Sequence, residues 1–228
     1  MTTKLFTPES RSHDPPRRLT FSPQAWLKLQ YLCHAGPTEV ACFGLAEEHD
    51  PLRIEDVLVV RQRATPVTVA FDDESVADLF DRMVDAGIAP ARFARLWIHT
   101  HPGVSVEPSG TDEETFHRVF GGCDWAVMAI LGRTGNTYAR LRFNAGPGGS
   151  QSLPVKVDWS NWPHVAPLLA EQIAEWDREY HELVEPEAWG WPEDFVRKDG
   201  DPSVASLLSD PFDPFWNPFP PGDLHAFQ

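Results

Sequence analysis

Cysteine is scarce: Cys33, Cys42 and Cys123 are the only three among 228 residues. An odd number without CxxC spacing argues against the disulfide framework of a small secreted domain, and leaves the thiols as small buried groups, reduced in a cytoplasm. Long apolar runs are missing too. No stretch approaches the ~20 apolar residues of a spanning helix, and the opening MTTKLFTPESRSHDPPRR lacks the apolar core of a signal peptide. Positive charge is in deficit, with 19 Lys and Arg against 34 Asp and Glu and a net charge of -15. Such a balance repels phosphate backbones and anionic lipid, so neither nucleic acid nor a membrane is expected as a partner; a protein or peptide with a basic face suits it better. HExxH does not occur, and the glycine-rich GPGGS has no following lysine to hold a phosphate. These absences point to a soluble, cytoplasmic protein that does not hydrolyse nucleotides.

The chain is long enough to bury a full core, and its proline and glycine are unevenly spread. Residues 1–18 read as a flexible leader ending in Pro15-Pro16-Arg17-Arg18. Ser22-Pro23 suits a helix start, after which Trp26, Leu27, Leu29, Leu32 and Cys33 recur at helical spacing until Gly36-Pro37. Strand-like runs follow at Glu39 to Leu45, Ile54 to Arg61 and Val67 to Phe71, expected as consecutive strands of one sheet. Asp72 to Ala86 carries Val76, Leu79, Phe80, Met83 and Val84 on one helical face. Phe93 to His101 reads as a buried strand, Thr111 to Phe120 as a short helix capped by Ser109 or Thr111, and Trp125 to Leu131 and Thr137 to Phe143 as a hairpin. The core is expected over 19–145. An extension over 146–185 would hold a loop at Gly146 to Ser152, a strand at Val155 to Trp159 and a helix from His164 to Val184. Residues 186–228 form a Pro/aromatic-rich tail, partly disordered, whose Phe212, Phe215, Trp216 and Phe219 are candidate partner contacts.

The chemistry concentrates in IHTHPGVSVEPSGTD, residues 98–112. Histidines at i and i+2 of a strand project to one face, so His99 and His101 can reach a single ion. Asp112, at the start of the next helix, can add a third, hard ligand, and three protein ligands leave one position for water, as in catalytic rather than structural zinc sites. The plainer reading of Ser109 and Asp112 is a helix cap. His34, His117, His164 and His181 lie on helices or their ends without a second ligand at i+3 or i+4, and read as ordinary surface residues.

His99-Thr100-His101-Pro102, six residues, Ser109, two residues and Asp112 resemble the motif of the JAMM/MPN+ zinc metalloprotease family, prokaryotic type. The likeness covers roughly residues 20–145. It implies an α/β (α+β) fold of the MPN, cytidine-deaminase-like kind: one domain with a mixed β-sheet flanked by helices. It also implies one zinc per chain, and a catalytic glutamate on an early strand. Glu39 in TEVACFGLA has that setting, although the family's Glu-x-x-Gly is altered here, with the glycine displaced to Gly44. By the resemblance, Glu39 would activate the water and Ser109 would stabilise the oxyanion of a peptide or isopeptide hydrolysis, with a ubiquitin-like protein as substrate. The alternatives are a non-catalytic MPN scaffold that binds partner proteins and a zinc hydrolase of small amides.

Overall fold

Ser22 accepts the Ala25 amide and Pro23 fills the first helical position, an N-terminus that needs no further partners. The computed structural model describes residues 17–187. Most of the leader, and the tail with Phe212, Phe215, Trp216 and Phe219, lie outside the described residues. In chain order the elements are β1 (Leu19–Phe21), α1 (Pro23–His34), β2 (Ala41–Ala46), β3 (Arg53–Val59), β4 (Gln62–Thr65) and β5 (Thr68–Phe71). Then come α2 (Asp73–Asp85), α3 (Pro90–Phe93), β6 (Leu96–His101), α4 (Gly110–Phe120), β7 (Trp125–Gly132) and β8 (Thr137–Phe143). The last are β9 (Gly149–Ser152), β10 (Val155–Val157), α5 (Trp162–Val165), α6 (Leu169–Leu183) and β11 (Val184–Pro186).

Eight strands form a mixed sheet in the order β10-β1-β3-β2-β6-β7-β8-β9. Pairing is parallel at β10/β1, β1/β3 and β6/β7 and antiparallel elsewhere. It is a mixed α/β arrangement with helices against the sheet, consistent with an MPN-like architecture. No helix among the described residues is long and apolar enough to cross a membrane.

Alternation along the strands sorts the core into two faces. Leu96, Ile98, Val127, Ala129 and Leu131 pack with Leu29, Leu32 and Cys33 of α1. Trp97, Met128 and Ile130 turn the other way, onto Phe116 and Phe120 of α4 and Leu79 of α2. His99 and His101 share the parity of Trp97, so they lie on the α4 side. Gly44 has the opposite parity to Glu39 and faces α1. A Cβ there would stand 2.8 Å from Ile98 Cδ1 and 3.0 Å from Leu96 Cβ, so this glycine serves close packing behind the sheet and not the site.

Several expectations are corrected. The run at Val67 to Phe71 does not continue the main sheet, where β3 already has β1 on one side and β2 on the other; as β5 it pairs with β4, a strand that the sequence reading leaves as a connection, in a second sheet, β11-β4-β5. The expected loop over Gly146 to Ser152 contains β9, which pairs with β8. Phe93 belongs to α3, and the strand begins at Leu96. The long helix from His164 is broken. Pro167 supplies no amide hydrogen, so α5 and a 3-10 turn over Ala166–Leu168 precede α6, and Leu168 is left exposed. The hairpin between β7 and β8 turns at Gly135, whose φ of 82° favours glycine.

Lys28 of α1 ties this layer together. Its ammonium is nearly buried, 2.7 Å from Glu179 of α6 and 3.9 Å from Asp56 of β3. Burial raises both carboxyl pKa values against the pull of Lys28. Lys28→Met strands two carboxylates without their counter-charge. Because both keep some solvent contact, the expected loss is roughly 2–3 kcal/mol at neutral pH, below the ~3–5 of a fully buried pair. The loss should shrink as the pH falls and the carboxyls take up protons. Urea denaturation at pH 7 and pH 5 measures it; an equal loss at both would contradict the assignment.

Candidate metal centre

Three elements meet above the end of β6. The first is β6 itself, which presents His99 and His101. The second is the start of α4, where Ser109 and Asp112 form a reciprocal capping box: Ser109 Oγ accepts the Asp112 amide at 3.1 Å, and Asp112 Oδ2 accepts the Ser109 amide at 2.7 Å. The plain capping reading is therefore correct and also incomplete, because the same box fixes the carboxylate toward the histidines. The third is the residue run before β2. Ala41 stands opposite His99, and Thr100 and Val40 are joined by a 2.9 Å backbone bond, so the antiparallel register carries Glu39 beside His101.

The ligand atoms of His99, His101 and Asp112 lie within 4.8 Å of one another. His99 Nε2 is 3.4 Å from Asp112 Oδ1, and His101 Nε2 is 3.8 Å from Asp112 Oδ2. These separations are too long for good hydrogen bonds. They are close to the roughly 3.3–3.6 Å between two ligand atoms that each stand ~2.0–2.2 Å from one tetrahedral ion. Both Nε2 atoms are buried without a hydrogen-bond partner. His101 Nδ1 lies 2.8 Å from the Ser105 carbonyl, which can only accept; Nδ1 therefore carries the hydrogen and Nε2 keeps a lone pair for a metal. His99 is oriented differently, by stacking on Trp97 at 4.6 Å, which in turn stacks on Phe116 and Phe120. The donor set fits zinc.

Without the ion, the electrostatics differ between the two histidines. Burial lowers the His99 pKa despite the pull of Asp112, which keeps the ring neutral as a ligand must be. At His101 burial also acts downward, but Asp112, the Ser105 carbonyl and Glu39 outweigh it and raise the pKa. Burial would raise Asp112, yet His101, His99 and Ser109 hold its carboxyl far below the usual range. Glu39 is buried, and its carboxylate is 3.7 Å from His101 Nε2. Its pKa is pushed up to about 7, first by burial, with His101 opposing and Asp112 adding to the rise.

A raised acid favours folding only while it holds its proton. Its contribution is complete below the ordinary 4.5 and is lost as the pH rises through about 7. In chelator-treated protein, Glu39→Gln should therefore match the parent near pH 4.5 and exceed its stability above pH 7, by roughly 1–3 kcal/mol. Denaturation across pH 4.5–8 reads the difference, and a constant gap would contradict it.

Among the other sequence candidates, Cys33 and Cys42 are buried free thiols remote from the ligand cluster in role: Cys33 points at the His101 and Leu131 carbonyls and Cys42 at that of Ile98. His34 contacts its own helix at Gln30, and His181 pairs with Asp177 one turn away. Sequence reasoning missed Trp97, whose alternation with His99 was a usable signal, and Gln62, which had none. In comparisons with models of known protein families and with curated proteins, the chain gave no match. The site thus stands on its geometry: a buried His-x-His-x10-Asp triad consistent with a JAMM/MPN-type zinc-binding motif and with a metal-dependent hydrolase.

Proposed function

We propose that the chain is a zinc-dependent peptidase or isopeptidase of the JAMM type. The observation that carries this reading is the buried three-ligand cluster with the Glu39 carboxylate 3.7 Å from one of its ligand nitrogens. A zinc ion held by His99, His101 and Asp112 would polarise a substrate carbonyl and make hydroxide available near pH 7. Glu39 then has the work of a general base. A buried carboxylate beside a ligand nitrogen can take the proton of the attacking water and return it to the leaving amine. Ser109 accepts the Asp112 amide through its oxygen, so its hydroxyl proton stays free to meet the developing oxyanion.

The substrate in this reading is a protein or peptide, with a ubiquitin-like modifier as the first class to test. The acidic balance of the chain, -15, favours a substrate with a basic face. Free buried thiols suit a reducing cytoplasm. A panel of linear fusions and isopeptide-linked conjugates, each run with the parent and with Glu39→Gln, tests the reading. Cleavage by the parent alone supports it; no cleavage by zinc-loaded parent across the panel counts against it.

A further inference from the structure

The strand that Glu39 leads into, β2, outruns its partner. β2 pairs with β3 from Cys42↔Val59 onward, and β3 ends at Val59, so the outer edge of Ala41 has no strand beside it. A side chain takes that place. Gln62, fully buried, accepts the Ala41 amide through Oε1 at 2.8 Å and donates from Nε2 to the Ala41 and Val60 carbonyls, both at 2.9 Å. Its amide reproduces the paired donor and acceptor that a neighbouring strand would present. Three of its four hydrogen-bonding capacities, both donors among them, are used on backbone, so the side chain has one orientation.

Three residues on, Thr65 closes β4 and its carbonyl accepts the Glu39 amide at 3.0 Å. Across the strand, Thr100 Oγ1 accepts the Val40 amide at 3.0 Å. Every backbone amide from Glu39 to Ala41 is thus held, and two of the three holds come from β4. β4 is itself fixed by β5 and by β11, with Val184 opposite Gln62. The second sheet therefore acts as a bracket for the end of β2.

Building on the hydrolase reading above, we propose that Gln62 is a positioning residue: it sets the backbone direction at Ala41 and so holds the Glu39 carboxylate against His101. Gln62 touches none of the three ligands. Its loss should loosen the base while leaving the ligand set intact.

The test is Gln62→Leu, of similar size but without the amide, beside Leu27→Ala, a buried change between α1 and α6 that serves as a stability control. Three readouts are taken: zinc per chain, amide hydrogen exchange in metal-free protein, and kcat and KM on any substrate the parent cleaves. Gln62→Leu is expected to keep parental zinc, to speed exchange at Glu39 and Ala41 at least tenfold more than at Trp97 or Ile98, and to lose at least tenfold in kcat with KM little changed. Leu27→Ala should lower the thermal midpoint without that pattern. If Gln62→Leu does not fold, Gln62→Met replaces it, since a thioether fills similar space but cannot donate to the two carbonyls. Parental exchange at Glu39 and Ala41, or equal kcat losses in both variants, overturns the proposal. The exchange readout stands even for a protein that cleaves nothing, so failure of the hydrolase reading is told apart from failure of the bracket.

Discussion

Glu39→Gln protein is expected to fold, to bind zinc as the parent does, and to lose hydrolysis by a factor of about 10²–10⁴, the usual worth of a positioned general base. The amide is nearly isosteric with the carboxyl, and Glu39 lies outside the three-ligand cluster, so neither packing nor metal affinity has reason to change. What is lost is proton acceptance beside His101. A matching drop in kcat and kcat/KM would place the loss in the transition state. A rise in KM alone would assign Glu39 to binding, and unchanged activity would move the base elsewhere.

Asp112 is the residue whose replacement should cost most in stability, because it does two jobs. Its Oδ2 completes the capping box with Ser109, and the same carboxylate faces both histidines. In chelator, Asp112→Ala loses the cap, roughly 0.5–2 kcal/mol. In zinc it also forfeits the stabilisation from metal binding to the folded state, about 4 kcal/mol when free zinc is a thousandfold above Kd. Asp112→Asn can keep an acceptor for the Ser109 amide, so its loss should fall mainly in the zinc arm. Thermal midpoints with zinc and with chelator separate the two parts. Equal losses in both arms would mean that Asp112 only caps.

The ligands were legible because each depends on local pattern. Strand parity puts His99 and His101 on one face without knowledge of the rest of the chain, and Ser-x-x-Asp marks a helix start. Glu39 was legible only through resemblance. What brings it to His101 is the antiparallel register of β2 on β6, a contact between residues some sixty positions apart, and no local period reports that. The second sheet was illegible for the same reason. β11 is three residues long and joins β4 in parallel, Val184 to Gln62, so it shows no alternation and no turn that would announce the pairing. Gln62 sits in the connection between the expected strands Ile54 to Arg61 and Val67 to Phe71, and only the early end of β3 makes its amide necessary. The last helix begins later than expected because the period of apolar residues runs on through Pro167, where the backbone ladder cannot.

Metal content is the most direct test of the three-ligand site. Protein purified without a metal-binding tag and dialysed against weak chelator is expected to retain about one zinc per chain, and the His99→Ala/His101→Ala double variant is expected to retain none. A zinc-free parent able to take up no zinc on titration, or a double variant that keeps the parental content, would contradict the account.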